Sequence, residues 1–248
     1  MKKSMDELIQ RAQELAAQSI APLAAPVSYR VAYLVSHGHS YASNGYAIRT
    51  QGIARALNEH GLETLCFVRP GRPWELDNAP EGIPAETTIH GVRYVHSRWE
   101  PAPTPASERE HLEASVQRLE DLCRIYRPAV LLAASDYRIG LPGWVVAQRL
   151  GLPFHNEVRG FWELSRAARE PGYEQAEEFR AQQERDAFVA RQAQSDKHQR
   201  GGDAGGPQQH PFFKNLELAG VEIEPYHQML AQPGGDAYEY FYELERLR

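Results

Sequence analysis

The chain has 248 residues, 42% of them hydrophobic and 24% charged, enough apolar material for one large or two small folded domains and too much for wholesale disorder. A balance of 33 acidic against 27 basic side chains, net −6, excludes a general nucleic-acid binder working through a basic surface. No run approaches the ~20 uncharged apolar residues of a spanning helix, and Asp6, Glu7, Arg11 and Glu14 interrupt the stretch a secretory signal would need.

Along the chain, Met5, Leu8, Ile9, Ala12, Leu15, Ala16 and Ile20 recur at three- and four-residue spacing, which predicts a helix that packs on the main domain or on a partner. Pro22 and Pro26 break it, and residues 1–28 read as an N-terminal helical segment. Val31 to Val35 is a short apolar run suited to a strand buried on both faces. A polar loop, 36–45, leads into a helix with Ile48, Gly52, Ile53, Ala56 and Leu57 on its expected inner face, closed by Gly61. Glu63 to Val68 is the next strand, completing a strand–helix–strand unit, which is right-handed and parallel in nearly all folds.

Thr87 to Ile89 and Val92 to Val95 flank His90-Gly91 and resemble a hairpin or a short strand pair. A long helix is expected from Ser107, with Leu112, Val116, Leu119, Leu122, Cys123 and Tyr126 on one stripe, ended by Pro128. Residues 129–134 form a third strong strand, 135–142 a loop, 144–150 a helix closed by Gly151, and 152–158 a fourth strand. Strands alternating with helices predict a Rossmann-like, doubly wound α/β fold with a mainly parallel sheet over residues 29–192. A charged helix anchored by Phe179 and Phe188 is expected over 174–192, a Gly- and Gln-rich linker over 193–215, and a short strand–helix unit over 216–248. The terminal Leu244-Glu245-Arg246-Leu247-Arg248 resembles Leu122-Cys123-Arg124-Ile125-Tyr126-Arg127, which precedes a core strand, so the chain is expected to be a fragment of a longer protein with a truncated further domain.

In a parallel sheet the strands' carboxyl ends open on one edge, where ligands bind. The loops 36–45, 135–142 and 157–163 converge there. Asn44, Gly45 and Tyr46 begin a helix whose free amides and dipole favour a phosphate, although neither G-x-G-x-x-G nor a P-loop is present. His37 and His39 lack carboxylate partners at ligand spacing, so no metal is expected and His39 reads as a substrate contact. No nucleophile elbow of the G-x-S-x-G type occurs. Glu157, Arg159, Trp162 and Glu163 place alternating charges beside an aromatic at a strand end, a pattern that is costly unless the charges are paired or bind something. Arg159 offers a fork for phosphate or carboxylate, or alternatively a structural pair with Glu157 or Glu163. Cys66 and Cys123 lie in apolar segments and read as buried thiols of a reducing, cytoplasmic compartment.

Three passages together resemble the N-terminal domain of family 4 retaining glycosyltransferases, which have the two-domain GT-B architecture, and are similar to members acting in bacterial exopolysaccharide or cell-surface glycan synthesis. They are Ser43-Asn44-Gly45-Tyr46-Ala47-Ile48-Arg49-Thr50-Gln51-Gly52-Ile53, Ala134-Ser135-Asp136-Tyr137-Arg138-Ile139-Gly140-Leu141-Pro142, and Glu157-Val158-Arg159-Gly160-Phe161-Trp162-Glu163 with Arg169-Glu170-Pro171-Gly172-Tyr173. The resemblance implies a nucleotide-sugar donor as substrate with no cofactor, a glycan or lipid-linked acceptor, and metal-independent transfer with retention. On that reading Asn44, Gly45 and Tyr46 face donor phosphate, and His39, Asp136, Tyr137, Arg138, Glu157, Arg159, Trp162 and Glu163 line the acceptor cleft. No catalytic residue is identified. The family's donor-binding half has no counterpart here, so a C-terminal donor-binding domain is the expected partner and the fragment alone should be nearly inactive. Nucleic acid is not an expected partner and no transmembrane segment is expected, with peripheral membrane contact left open. The alternative is a non-catalytic Rossmann-like binding or scaffolding module.

Overall fold

A computed structural model describes residues 6–76, 79, 81–99 and 102–200, with residues 194–200 described by backbone alone. Six strands, β1 (Arg30–Val35), β2 (Glu63–Val68), β3 (Glu86–Ile89), β4 (Val92–Val95), β5 (Val130–Ala134) and β6 (Phe154–Glu157), form one sheet in the order β3-β4-β2-β1-β5-β6. All neighbours are parallel except the β3–β4 hairpin at the edge. That hairpin turns through His90 and Gly91, both at positive φ, as a two-residue turn matched to strand twist requires. The helices are α1 (Glu7–Ala16), α2 (Gly45–Glu59), α3 (Glu108–Tyr126), α4 (Tyr137–Leu150), α5 (Trp162–Ala167) and α6 (Glu177–Arg200). This is the doubly wound, mainly parallel α/β fold expected of half a GT-B architecture.

The strands bury both faces, so alternate residues enter different cores. Ala32, Leu34, Leu65, Phe67, Leu131 and Ala133 face α1, α3, α4 and α6. Tyr33, Val35, Cys66, Val68, Tyr94 and Ala134 pack on the other side, where α2 contributes Ala54. Emptying a large position such as Leu131, fully buried, should cost about 2–5 kcal/mol. Cys66 and Cys123 are free and buried, and burial raises both thiols far above their ordinary range, so neither is poised to react.

α1 packs on the main domain, one of its two expected placements: Asp6 caps it by accepting from Leu8 N and Ile9 N, and Leu8, Ile9, Ala12 and Leu15 belong to the main core. Three expectations need correction. First, α2 is rotated from its expected face. It buries Ala47, Thr50, Ala54 and Leu57 and leaves Ile48 56% exposed, because small residues let the helix lie close on the sheet. Second, α4 begins at Tyr137 and carries Pro142 inside it, so most of the expected 135–142 loop is helix. The proline forfeits one backbone bond near the helix start, while ten further α4 residues stay buried; packing outweighs propensity. Third, α6 runs to Arg200, eight residues beyond the expected end at 192, into the segment read as linker. The rest of that linker and the 216–248 unit lie outside the described residues. No helix among the described residues is long and apolar enough to cross a membrane.

Candidate functional site

At the carboxyl edge, the loops after β1, β5 and β6 are tied to one another through Tyr46. Its hydroxyl accepts from Ser36 N at 2.9 Å and donates to Ala134 O at 3.1 Å, joining the first two loops. From the third, Arg159 donates through Nη1 to Tyr46 O at 3.1 Å and to Thr50 Oγ1 at 2.8 Å. Its Nη2 reaches Glu157 Oε2 at 3.1 Å and the Tyr33 hydroxyl, and the guanidinium lies 4.4 Å from the centroid of the Tyr46 ring. Asn44, Asp136 and Arg159 are therefore on one rim.

Arg159 does not face the cleft. Its side chain is 3% exposed and its Nη atoms are engaged by internal partners, so the fork expected to hold a ligand instead clamps α2 to β6. Glu157 is likewise occupied: it accepts from Tyr33 Oη, pairs with Arg159, and lies 3.0 Å from Arg49 Nη2. A charge this deep needs compensation, and the protein supplies it at both Nη atoms, while Arg159 Nε is buried with no hydrogen-bond partner. Burial raises the Tyr33 and Tyr46 phenols well above their ordinary value, with Glu157 adding to the shift at Tyr33, so both remain protonated donors. Glu163 also turns away, being 3% exposed in α5, and burial raises its carboxyl. His39 stays in the β1–α2 loop with Nδ1 3.3 Å from Ala42 O.

The N-terminus of α2 is open. Asn44 accepts from Ala47 N at 2.9 Å, no acidic residue sits in the first turn, and Gly45 is exposed with no atom within 4 Å of where a Cβ would stand. The start of α4 differs. Asp136 accepts from Arg138 N at 3.0 Å, and Asp186, reaching over from α6, accepts from Tyr137 N at 2.6 Å. Burial raises Asp136, and burial together with the Asp136 charge pushes Asp186 up to about 7.

Beside α4 lies a cleft of about 1400 Å³ lined by Asp136, Tyr137, Arg138 and Trp162 together with Arg166 and Arg185. Trp162 is 43% exposed, and its Nε1 donates to Ser135 Oγ at 2.6 Å. Ser135 holds φ at +83°, an uncommon conformation for a residue other than glycine. A second hollow of about 230 Å³ shares Glu108, Tyr137 and Arg138 with the cleft. The shared wall is a network: Tyr137 Oη donates to Glu108 Oε1 at 2.6 Å, and Arg185 bridges Glu108 and Asp6.

Of the expected residues, then, Asp136, Tyr137, Arg138 and Trp162 share the cleft, while Asn44, Gly45 and Tyr46 form a separate station on the same edge. Sequence reading missed Glu108, Arg185 and Asp186. They sit on helices whose charged faces carry no local signal, and only packing brings them to α4. Among the described residues no group of three or more His, Cys, Asp or Glu side chains is arranged to hold a metal ion.

A family model described as a glycosyl transferase 4-like domain matches residues 44–195, more than half of the chain, including the α2 start and the loops after β5 and β6. Comparison with curated proteins gave no match.

Proposed function

This chain belongs to the family of glycosyl transferase 4-like domains, and we propose that it is the acceptor-side half of an enzyme moving a sugar from a nucleotide-sugar donor to a glycan or lipid-linked acceptor in surface-polysaccharide synthesis. The observation that carries the reading is the pairing of two stations on one edge: an anion-ready helix start at Gly45 and a polar cleft with an exposed indole at Trp162.

The chemistry follows from charge. Transfer leaves a nucleoside diphosphate, whose negative charge grows as the glycosidic bond to the donor breaks. The amides of Gly45 and Tyr46, at the positive end of α2, are suited to meet that charge without a metal or cofactor. Trp162 offers a flat apolar face to an acceptor sugar, and its bond to Ser135 holds the ring in place. Asp136 and Arg138 would orient acceptor hydroxyls at the cleft wall. The α2 start would meet only the donor's phosphates, so transfer requires a donor-binding domain to hold the rest of the donor, and this chain alone should turn over poorly. Nucleotide sugars and a reducing environment for the two free thiols favour the cytoplasm.

The test is transfer measured with the donor-binding half supplied. Trp162→Ala should raise the acceptor KM about 3–10-fold, corresponding to ~0.5–1.5 kcal/mol of lost aromatic contact, while leaving nucleotide-sugar binding unchanged. Unaltered acceptor kinetics would remove Trp162, and with it the cleft, from the reading.

A further inference from the structure

The smaller hollow is separate from the indole and the α2 start, and its chemistry differs from theirs. Its base is apolar, formed by Leu8, Leu112, Leu141 and Pro142, while Arg69, His111, Arg138 and the Glu108 carboxylate stand at its sides. At about 230 Å³ it lies below the ~300–1,000 Å³ range of drug-sized sites, which suits one sugar ring and its substituent rather than an oligosaccharide.

Two buried donors at these walls have no protein partner: Arg69 Nε and His111 Nε2. A buried donor left unmatched is costly, and an incoming acceptor atom would remove that cost. The Glu108 carboxylate is answered by Arg138 at 3.2 Å and by Arg185 at 2.5 Å, so cations outnumber carboxylates on this side. Arg69 and Arg72 share the single carboxylate of Glu75, at 2.6 and 3.6 Å, and that same carboxylate also accepts from Trp99 Nε1. Burial and the cationic Arg69 and Arg138 push His111 down to about 4, so its ring is neutral at pH 7. Nδ1 lies 3.4 Å from Ser115 Oγ; with the hydroxyl donating to it, the ring proton sits on Nε2. Arg138, whose side chain is 55% exposed, stands where the hollow meets the main cleft.

We propose that this hollow is a subsite for an anionic sugar residue of the acceptor, one carrying a carboxylate or a phosphate, with the ring on the Leu8–Leu112–Leu141 base and the anion between Arg69, His111 and Arg138. It rests on the acceptor-side reading above for its place in the reaction. Its test is binding alone, with no donor present, so its failure is distinguishable from failure of the transferase reading.

The full chain is titrated calorimetrically with glucose, glucuronate, glucose 6-phosphate and inorganic phosphate. At least one of the two anionic sugars should bind ten-fold or more tightly than glucose, and the stronger one identifies which anion is read. Arg69→Gln should reduce that preference about ten-fold and His111→Gln about three-fold. Arg138→Gln, at a more exposed position, provides the same loss should Arg69→Gln fail to fold. Equal binding of glucose and both anionic sugars would overturn the proposal, as would inorganic phosphate binding as tightly as the sugar phosphate. Full preference retained in Arg138→Gln together with either folded Arg69→Gln or His111→Gln would overturn it too.

Discussion

The starts of α2 and α4 look alike locally and behave as opposites electrostatically. Each follows a parallel strand at the same edge, and each is capped by an Asx side chain, Asn44 or Asp136. At α4 the positive helix end is already answered by two carboxylates, Asp136 and the Asp186 that α6 brings across. At α2 the cap is neutral, the first turn has no acid, and Gly45 leaves the backbone open. A helix N-terminus becomes an anion site only where the protein has not spent it on its own acids. Of the two, α2 meets that condition.

The comparison can be attacked from its support downward. Arg159 holds the α2 start to β6, so Arg159→Ala should be the most damaging change, leaving Glu157, Thr50 and the Tyr46 carbonyl without their partner. The expected loss is about 3–5 kcal/mol, read as a lower denaturant midpoint and a fall in Tm of roughly 6–20 °C. Transfer lost without any fall in stability would return Arg159 to a ligand-binding role.

Next in size is Asp186. Its folded carboxyl keeps a proton up to about pH 7, whereas the unfolded group releases it near 3.8. Between those values the folded state holds more protons, so stability falls as pH rises through the window. Asp186→Asn keeps an acceptor for Tyr137 N and removes the charge. It should flatten that decline and gain on the order of 2 kcal/mol at pH 8, measured by urea unfolding at pH 5 and pH 8. An unchanged slope would mean that burial and Asp136 together do not hold a proton on Asp186.

Asn44→Asp makes the α2 end resemble that of α4. Stability should hold or improve by about 0.3–1 kcal/mol, since the cap survives, while nucleotide-sugar affinity drops about ten-fold. Equal affinity for wild type and variant would place the donor phosphates elsewhere. The smallest expected effect on the fold is Gly45→Ala, within about 0.5 kcal/mol, because the added methyl meets only open space. It should nonetheless weaken the nucleotide sugar by crowding its phosphates; calorimetry on the two proteins, each with the donor-binding half supplied, checks this.

Much of the fold could be read directly from the residues. The β2 boundaries, the His90-Gly91 hairpin and the glycines closing α2 and α4 follow from apolar runs and left-handed turns, which are local properties. The inner face of α2 could not, because its stripe of Ile48 and Ile53 competes with the small residues that the sheet prefers. Nor could the start of α4, where Pro142 is a strong local stop signal that burial overrides. That Asp136, Tyr137, Arg138 and Trp162 come together was legible from their strand-end positions. The inward turn of Arg159, Glu157 and Glu163 was not, since a charged residue beside a strand end reads the same whether it pairs inside or faces a ligand.

Sequence alone settled most of the strands and helices, that the core strands run parallel, and hence that the loops after them gather on one edge, because periodicity and turn residues act over a few neighbours. Tertiary structure alone decided which charges are consumed and which remain available. That choice depends on partners far along the chain: Asp186 for the α4 start, Tyr33 and Thr50 for Arg159, Arg185 for Glu108. Whether a buried charge is neutralised depends on all the groups around it, and these assemble only in the packed molecule.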